Sequence, residues 1–189
     1  MRKLTMFNHV TLDGYFTGAG GDLSWAHQAP QDAEWNEFVA GNAKGGGMLV
    51  FGRITYEMMA SFWPTPMAHQ SMPEVAAGMN RMPKVVFSRT LSEASWSNTT
   101  LLKGDPATEM RRLKGEPGDD MVILGSGTIV SQLAAAGLID QYQMVVNPLA
   151  LGKGRTLFEG VEAKLSLKLT SSRAFGNGNV LLGYEPARS

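Results

Sequence analysis

A chain of 189 residues, 43% hydrophobic and 18% charged, has enough apolar material for a sizeable core and too little charge for disorder. Seventeen basic residues balance seventeen acidic ones and lie scattered, which argues against a nucleic-acid-binding face. No apolar run reaches the length of a membrane span, and the absence of cysteine excludes disulfides, thiol nucleophiles and thiolate metal sites.

The N-terminal MRKLTMFNHVTLDG has two basic residues but no long apolar stretch and no small-residue cleavage site, so it reads as a first strand and not a signal peptide. Together with the missing cysteines this fits a cytoplasmic protein. Residues 4–12 alternate loosely (Leu4, Met6, Val10, Leu12) and Asp13-Gly14 breaks the strand. A glycine-rich loop, TGAGGDLS, spans 17–24. A helix is predicted over 32–42, with Trp35, Phe38 and Val39 on its inner face, and Lys44-Gly45-Gly46-Gly47 ends it. Residues 48–51 form a buried strand, after which Thr55 caps a helix through Phe62 that Pro64 and Pro66 stop. A helix over 73–81 starts at a proline, and 84–88 is a strand. Asp105-Pro106 caps a helix that ends at Gly115. Then come a strand at 121–124, a helix at 128–136 and a strand at 141–147. A long strand over 164–175, with alternation at Leu165, Leu167 and Leu169, turns at Gly176-Asn177-Gly178 and returns over 180–184. The longest loops fall around 15–30, 63–72 and 148–163. Alternating strands and helices predict one α/β domain over 1–189, its mostly parallel sheet covered on both faces and closed by an antiparallel hairpin.

Gly125-Ser126-Gly127 joins a buried strand directly to a helix. Glycines there permit a sharp turn and close approach of a ligand, and the helix start favours an anion. The third glycine of a dinucleotide fingerprint is missing, since Ile129-Val130 follow Thr128. A tight turn with small residues is the plainer alternative. Two further strands end in Gly52-Arg53 and Ser88-Arg89. The carboxyl ends of parallel strands share one rim, where ligands bind. Two arginines and a helix N-terminus on that rim suit a pyrophosphate with a separate phosphate, as in NADPH. For a lone arginine, a solvated surface position is the plainer alternative. The three histidines, His9, His27 and His69, lack the short spacing of a zinc site.

The segments HVTLDGYF, VFGRITYEMM, KVVFSRTL, ILGSGTIVSQLAAAGLID and NPLALGKGRTLFEG, in this order, resemble the dihydrofolate reductase-like superfamily. The resemblance is closest to the reductase (C-terminal) domain of the bifunctional riboflavin-biosynthesis deaminase-reductase. It implies a three-layer α/β/α sandwich, a homodimer, and NADPH-dependent reduction of a small heterocycle, pterin-like or pyrimidine-like. It assigns the adenosine phosphate end to Gly52, Arg53, Thr55, Ser88 and Arg89. The pyrophosphate falls to the junction Leu124, Gly125, Ser126, Gly127, Thr128 and Ile129, where Gly-Ser stands in place of the family's frequent Gly-Gly. In this fold the first strand borders nicotinamide and substrate, which makes Asp13 a candidate catalytic group and Asn8 a substrate contact; a turn-forming Asp before Gly is the alternative. Glu34 and Phe38 reproduce the carboxylate and phenylalanine spacing of dihydrofolate reductases, with a solvated carboxylate and a core Phe as alternatives. Trp25 can wall a planar ligand or cover the sheet edge. Gln141 replaces the Glu of the riboflavin pattern and cannot ionise, which counts against a riboflavin precursor. Lys153 and Arg155 lie in a glycine-spaced loop that serves substrate, partner or solvent. An NADP(H)-binding sensor without turnover is the alternative function, with a true dihydrofolate reductase third.

Overall fold

Alternation decides which way β1 (Leu4–Thr11) faces: Leu4, Met6, Asn8 and Val10 are buried toward one side, while Thr5, Phe7 and His9 are half-buried toward the other. The computed structural model describes residues 1–27 and 32–187, so part of the loop expected over 15–30 lies outside the described residues. After β1 come β2 (Tyr15–Thr17), α1 (Ala33–Lys44), β3 (Met48–Gly52), α2 (Arg53–Phe62), α3 (Pro66–Ser71), α4 (Pro73–Arg81) and β4 (Lys84–Phe87). β5 (Thr99–Leu102), α5 (Pro106–Gly115), β6 (Met121–Leu124), α6 (Gly127–Ala135), β7 (Gln141–Asn147), β8 (Arg155–Thr156), β9 (Leu167–Ala174) and β10 (Val180–Pro186) complete the order.

Eight strands form one sheet in the order β5-β4-β3-β6-β1-β7-β10-β9. The pairs from β5 to β7 are parallel, and β10 and β9 close the sheet antiparallel. Met110 and Leu113 of α5 and Ile129, Val130 and Leu133 of α6 pack on one face with Leu4, Met6 and Val10. Ala43 of α1, Tyr56 of α2 and Val75 and Met79 of α4 pack on the other with Leu49 and Phe51. Each fully buried side chain of this size contributes roughly 2 kcal/mol. Helices α1 and α4 touch so closely that a Cβ on Gly78 would stand 2.9 Å from the carbonyl carbon of Ala43 and nearer still to its oxygen.

The structure departs from the sequence expectation at five places. Helix α2 starts at Arg53, so Thr55 lies inside its first turn and Gly52 is the cap residue. Pro66 starts α3 instead of stopping a helix, because Thr65 caps the new turn by accepting from the Ala68 N–H. Strand β5 is a short edge strand whose sequence, TTLL, carries no alternation strong enough to see. The last long strand begins at Leu167, and Leu169 is 52% exposed. A register shift lets Gly183 oppose Ser171 and Tyr184 oppose Leu169, so the bulge falls just after Leu169, on an edge strand exposed beyond Leu167. Finally, β2 and β8 pair with each other and join the two longest loops. Gly154 permits this, since a Cβ there would stand 3.1 Å from the Thr17 carbonyl carbon, with the oxygen closer.

Candidate functional site

The strand ends line up as the sequence expects of one rim. Gly52 pairs with Phe87, Val50 with Ile123, and Phe7 with Leu124. The end of β3, the β6–α6 junction and β1 therefore lie side by side. Two hydrogen bonds clasp the first two: the Gly52 N–H donates to Ser126 Oγ (2.7 Å), and the Ser126 N–H donates to Thr55 Oγ1 (3.0 Å). From the β1 side, Asn8 Nδ2 donates to the Gly125 carbonyl at 3.3 Å. The structure thus brings together Asn8, Gly52, Thr55, Gly125 and Ser126.

Each residue of Gly125-Ser126-Gly127 has a physical reason. Gly125 has φ +59°, and a Cβ there would lie 3.0 Å from Thr55 Cγ2. Ser126 also has a left-handed backbone, φ +61°, which costs a non-glycine residue about 1 kcal/mol or more. The bonds to Gly52 and Thr55 offset that cost, so the serine supplies an acceptor that a second glycine lacks. At Gly127 a Cβ would stand 2.7 Å from Phe16 Cε1 and closer still to Cζ. Phe16 covers this glycine and is itself buried in the core.

Helix α6 begins at this point with no side-chain cap, and its first intrahelical bond runs from the Val130 N–H to the Ser126 carbonyl. The amides of its first turn have no intrahelical acceptor, as at any helix start, and the exposed Thr128 stands among them. Ile129 is buried in the α6-side core, and the half-buried Leu124 packs against the opposite core. Arg53 is exposed and pairs with Glu57 one turn on (2.9 Å), and Arg89 stands exposed beyond β4. Ser88 Oγ accepts from the Thr90 and Leu91 amides and shapes that turn.

The two carboxylates expected to serve chemistry are engaged elsewhere. Asp13 accepts from the Thr11 hydroxyl and from the Leu151 and Gly152 amides (3.1 and 2.7 Å). These donors, the Thr11 hydroxyl first, hold its carboxyl below the ordinary carboxylate range. An ionised group ringed by donors is a loop anchor and a poor proton source. Glu34 lies on the exposed side of α1 in an ion pair with Arg173 of β9, whose Nε donates at 3.1 Å. Trp25 is buried, and its indole N–H donates to the Asp22 carbonyl within its own loop.

Phe38 belongs to an aromatic group on the α1 face of β1. Its ring centroid lies 6.2 Å from Phe7, 5.5 Å from Trp35 and 5.4 Å from Phe175. Trp35 stands edge-on to His9 (5.7 Å) and to Phe175 (5.0 Å). Beside His9, Asn147 Nδ2 lies 3.2 Å from its Nδ1. Sequence reasoning missed His9 and Asn147 as neighbours. The period-2 signal puts His9 with Phe7, but nothing local places β7 next to β1.

Residues 2–181 match the family model described as the RibD C-terminal domain. The solved structure of a Shewanella sp. PV-4 protein, whose name links it to riboflavin biosynthesis, is similar with a TM-score of 0.75 at 24% identity, covering 98% of this chain and 99% of that one. The diaminohydroxyphosphoribosylaminopyrimidine deaminase/5-amino-6-(5-phosphoribosylamino)uracil reductase of Thermotoga maritima gives 0.66 at 15% identity, covering 98% of this chain and 57% of that one. Dihydrofolate reductase from Enterococcus faecalis, complexed with NADP(H), gives 0.63 at 13% identity and covers 98% and 97%. At these identities the superpositions establish a dihydrofolate reductase-like, three-layer α/β fold.

Proposed function

The chain belongs to the RibD C-terminal domain family, and from that premise we propose that it is an NADPH-dependent reductase of a small heterocycle, pterin-like or pyrimidine-like. The observation that carries this reading is the uncapped start of α6, set on the strand-end rim between Gly52-Arg53 and Asn8. The Gly127, Thr128 and Ile129 amides would hold a pyrophosphate there, with the Thr128 hydroxyl beside them. Arg53 and Arg89 would face the phosphate of the adenosine end, where a guanidinium binds a phosphate monoester in bidentate fashion. Asn8 and the Gly125 carbonyl would meet the nicotinamide carboxamide. When bound, the nicotinamide supplies the hydride.

Positioning is this chain's contribution to the reaction. The residues around β1 set the two rings against each other, which is worth several kcal/mol of barrier when the geometry is right. Neither Asp13 nor Glu34 is given a proton-transfer part, since both carboxylates are bonded elsewhere. That same observation favours the second reading, an NADP(H)-binding sensor without efficient turnover. The test is a titration with NADPH and NADH side by side, on wild type and on the Arg53→Ala/Arg89→Ala double variant. Tighter binding of NADPH, with the preference lost in the variant, is expected. Binding of neither nucleotide sinks both readings. Binding without NADPH consumption across a set of pterins and pyrimidines selects the sensor.

A further inference from the structure

Asp13 is an exposed loop carboxylate, yet it is bound by two amides that lie 138 and 139 residues further along the chain. The Leu151 N–H donates at 3.1 Å and the Gly152 N–H at 2.7 Å. Gly152 has φ +72°, and consecutive amides turned to one side by a left-handed residue form a concavity that binds an anion. Here the anion belongs to the chain itself. Beside it, the Leu12 N–H donates to the Leu149 carbonyl (2.8 Å). The turn after β1 needs none of these distant bonds for its own shape, since the Gly14 N–H already closes it on the Thr11 carbonyl (2.9 Å).

What the carboxylate fixes is the path to α6. The buried Thr11 hydroxyl donates to Asp13 and accepts from the Tyr15 N–H (3.0 Å), which ties the carboxylate to the first residue of β2. Tyr15 pairs with Thr156 and Thr17 with Arg155, so Phe16 is the extra residue of a bulge. A bulge re-aims a side chain. Phe16 turns inward and shares the core with Leu157 and Ile129. The end of its ring lies against Gly127, the first residue of α6, with no room for a Cβ between them. The loops around 12–17 and 149–157 thus form one strap with two fastenings, the Asp13 carboxylate and the β2–β8 pairing. The strap bears on the helix start proposed above to hold a pyrophosphate.

We infer that Asp13 is a positioning residue that acts through Phe16: its carboxylate fastens the strap and so fixes how the start of α6 stands toward an anionic ligand. This rests on the nucleotide reading of that helix start, and it gives Asp13 a part other than proton transfer.

The test compares wild type, Asp13→Asn, Gly152→Ala, Phe16→Leu and the two double variants that combine Phe16→Leu with each of the others. Asp13→Asn keeps one acceptor and loses the charge. Gly152→Ala leaves the carboxylate in place and meets open space, so it strains only the left-handed backbone under the amides. Two quantities are read at neutral pH: hydrogen exchange of the Val130 amide, which makes the first bond of α6, and NADPH affinity. Each of Asp13→Asn and Gly152→Ala speeds the exchange and weakens NADPH by about tenfold, the scale of exchanging a charged hydrogen bond for a neutral one. In the Phe16→Leu background the same changes move both quantities by less than about twofold, because the arm that transmits them is gone. Lower melting temperatures of the single variants with exchange and affinity unchanged mark a merely structural anchor and overturn the inference. Undiminished effects in the Phe16→Leu background also overturn it. If wild type binds NADPH and the single variants bind it equally well, only this inference falls. If wild type binds no NADPH while Val130 exchange responds as expected, the nucleotide reading falls and the positioning of α6 by Asp13 stands.

Discussion

Gly127→Ala separates packing from ligand approach at the start of α6. A Cβ on residue 127 would lie 2.7 Å from Phe16 Cε1 and 3.2 Å from Cε2, with Cζ nearer than either. Ordinary carbon contacts are about 3.5–4.0 Å, so the ring must retreat by roughly 1 Å. Phe16 is 7% exposed and packed in the core, so it cannot swing away freely. Overpacking of this kind costs roughly 1–3 kcal/mol. In a chain of this size each kcal/mol lowers Tm by about 2–4 °C. Phe16→Leu removes the far end of the ring and should reduce the cost of the added methyl to under about 1 kcal/mol, so the two changes couple by about 1 kcal/mol or more. The assay is urea unfolding of wild type, both single variants and the double variant, with m checked for constancy. Equal costs of Gly127→Ala in the two backgrounds would refute the argument that Phe16 dictates the glycine. NADPH titration of the same four proteins then reads the functional part. If stability recovers in the double variant and affinity does not, the backbone at residue 127 must also be approached by the nucleotide.

Two further outcomes follow from packing and burial. Gly78→Ala puts a methyl against backbone atoms of Ala43, which cannot rotate away, and should cost about 2–3 kcal/mol. Gly41→Ala, also within a helix but with nothing near its Cβ, should instead stabilise by about 0.5–1 kcal/mol; equal effects on the denaturation midpoint would refute this reading of the α1–α4 contact. Lys84 is 1% exposed, with its ammonium donating to the carbonyls of Asn80, Met82 and Ser97 and standing 4.4 Å over the Trp96 ring. Burial lowers its pKa from 10.5 to about 8, so between these values the unfolded chain binds a proton that the folded one does not. Stability contributed by this group therefore rises as pH climbs from about 8 to 10.5, by an upper limit of about 3 kcal/mol. Lys84→Met should lack that rise in unfolding midpoints measured across the window, and an unchanged pH slope would show that the carbonyl cage holds the charged form without penalty.

What the sequence reveals and what it hides divide along one physical line. The strands at Met121–Leu124 and Gln141–Asn147 and the helices capped by Asp105 and started by Pro73 are written in local periods, caps and breakers, and are readable where they stand. The rim is readable too, because parallel strands that end in Gly-Arg or Gly-Ser-Gly must end on the same side. The fate of a polar side chain is not local. Asp13 looks like a site carboxylate until Leu151 and Gly152 arrive from 138 and 139 residues away to claim it. Glu34 is claimed by Arg173 across the same span of 139 residues. Gly176-Asn177-Gly178 reads as turn chemistry, and it is a turn. The burial of Asn177 and Asn179 there is set by how β10 docks on β7, which no short window encodes. A residue's type proposes its chemistry, but its partners decide whether that chemistry is free to act.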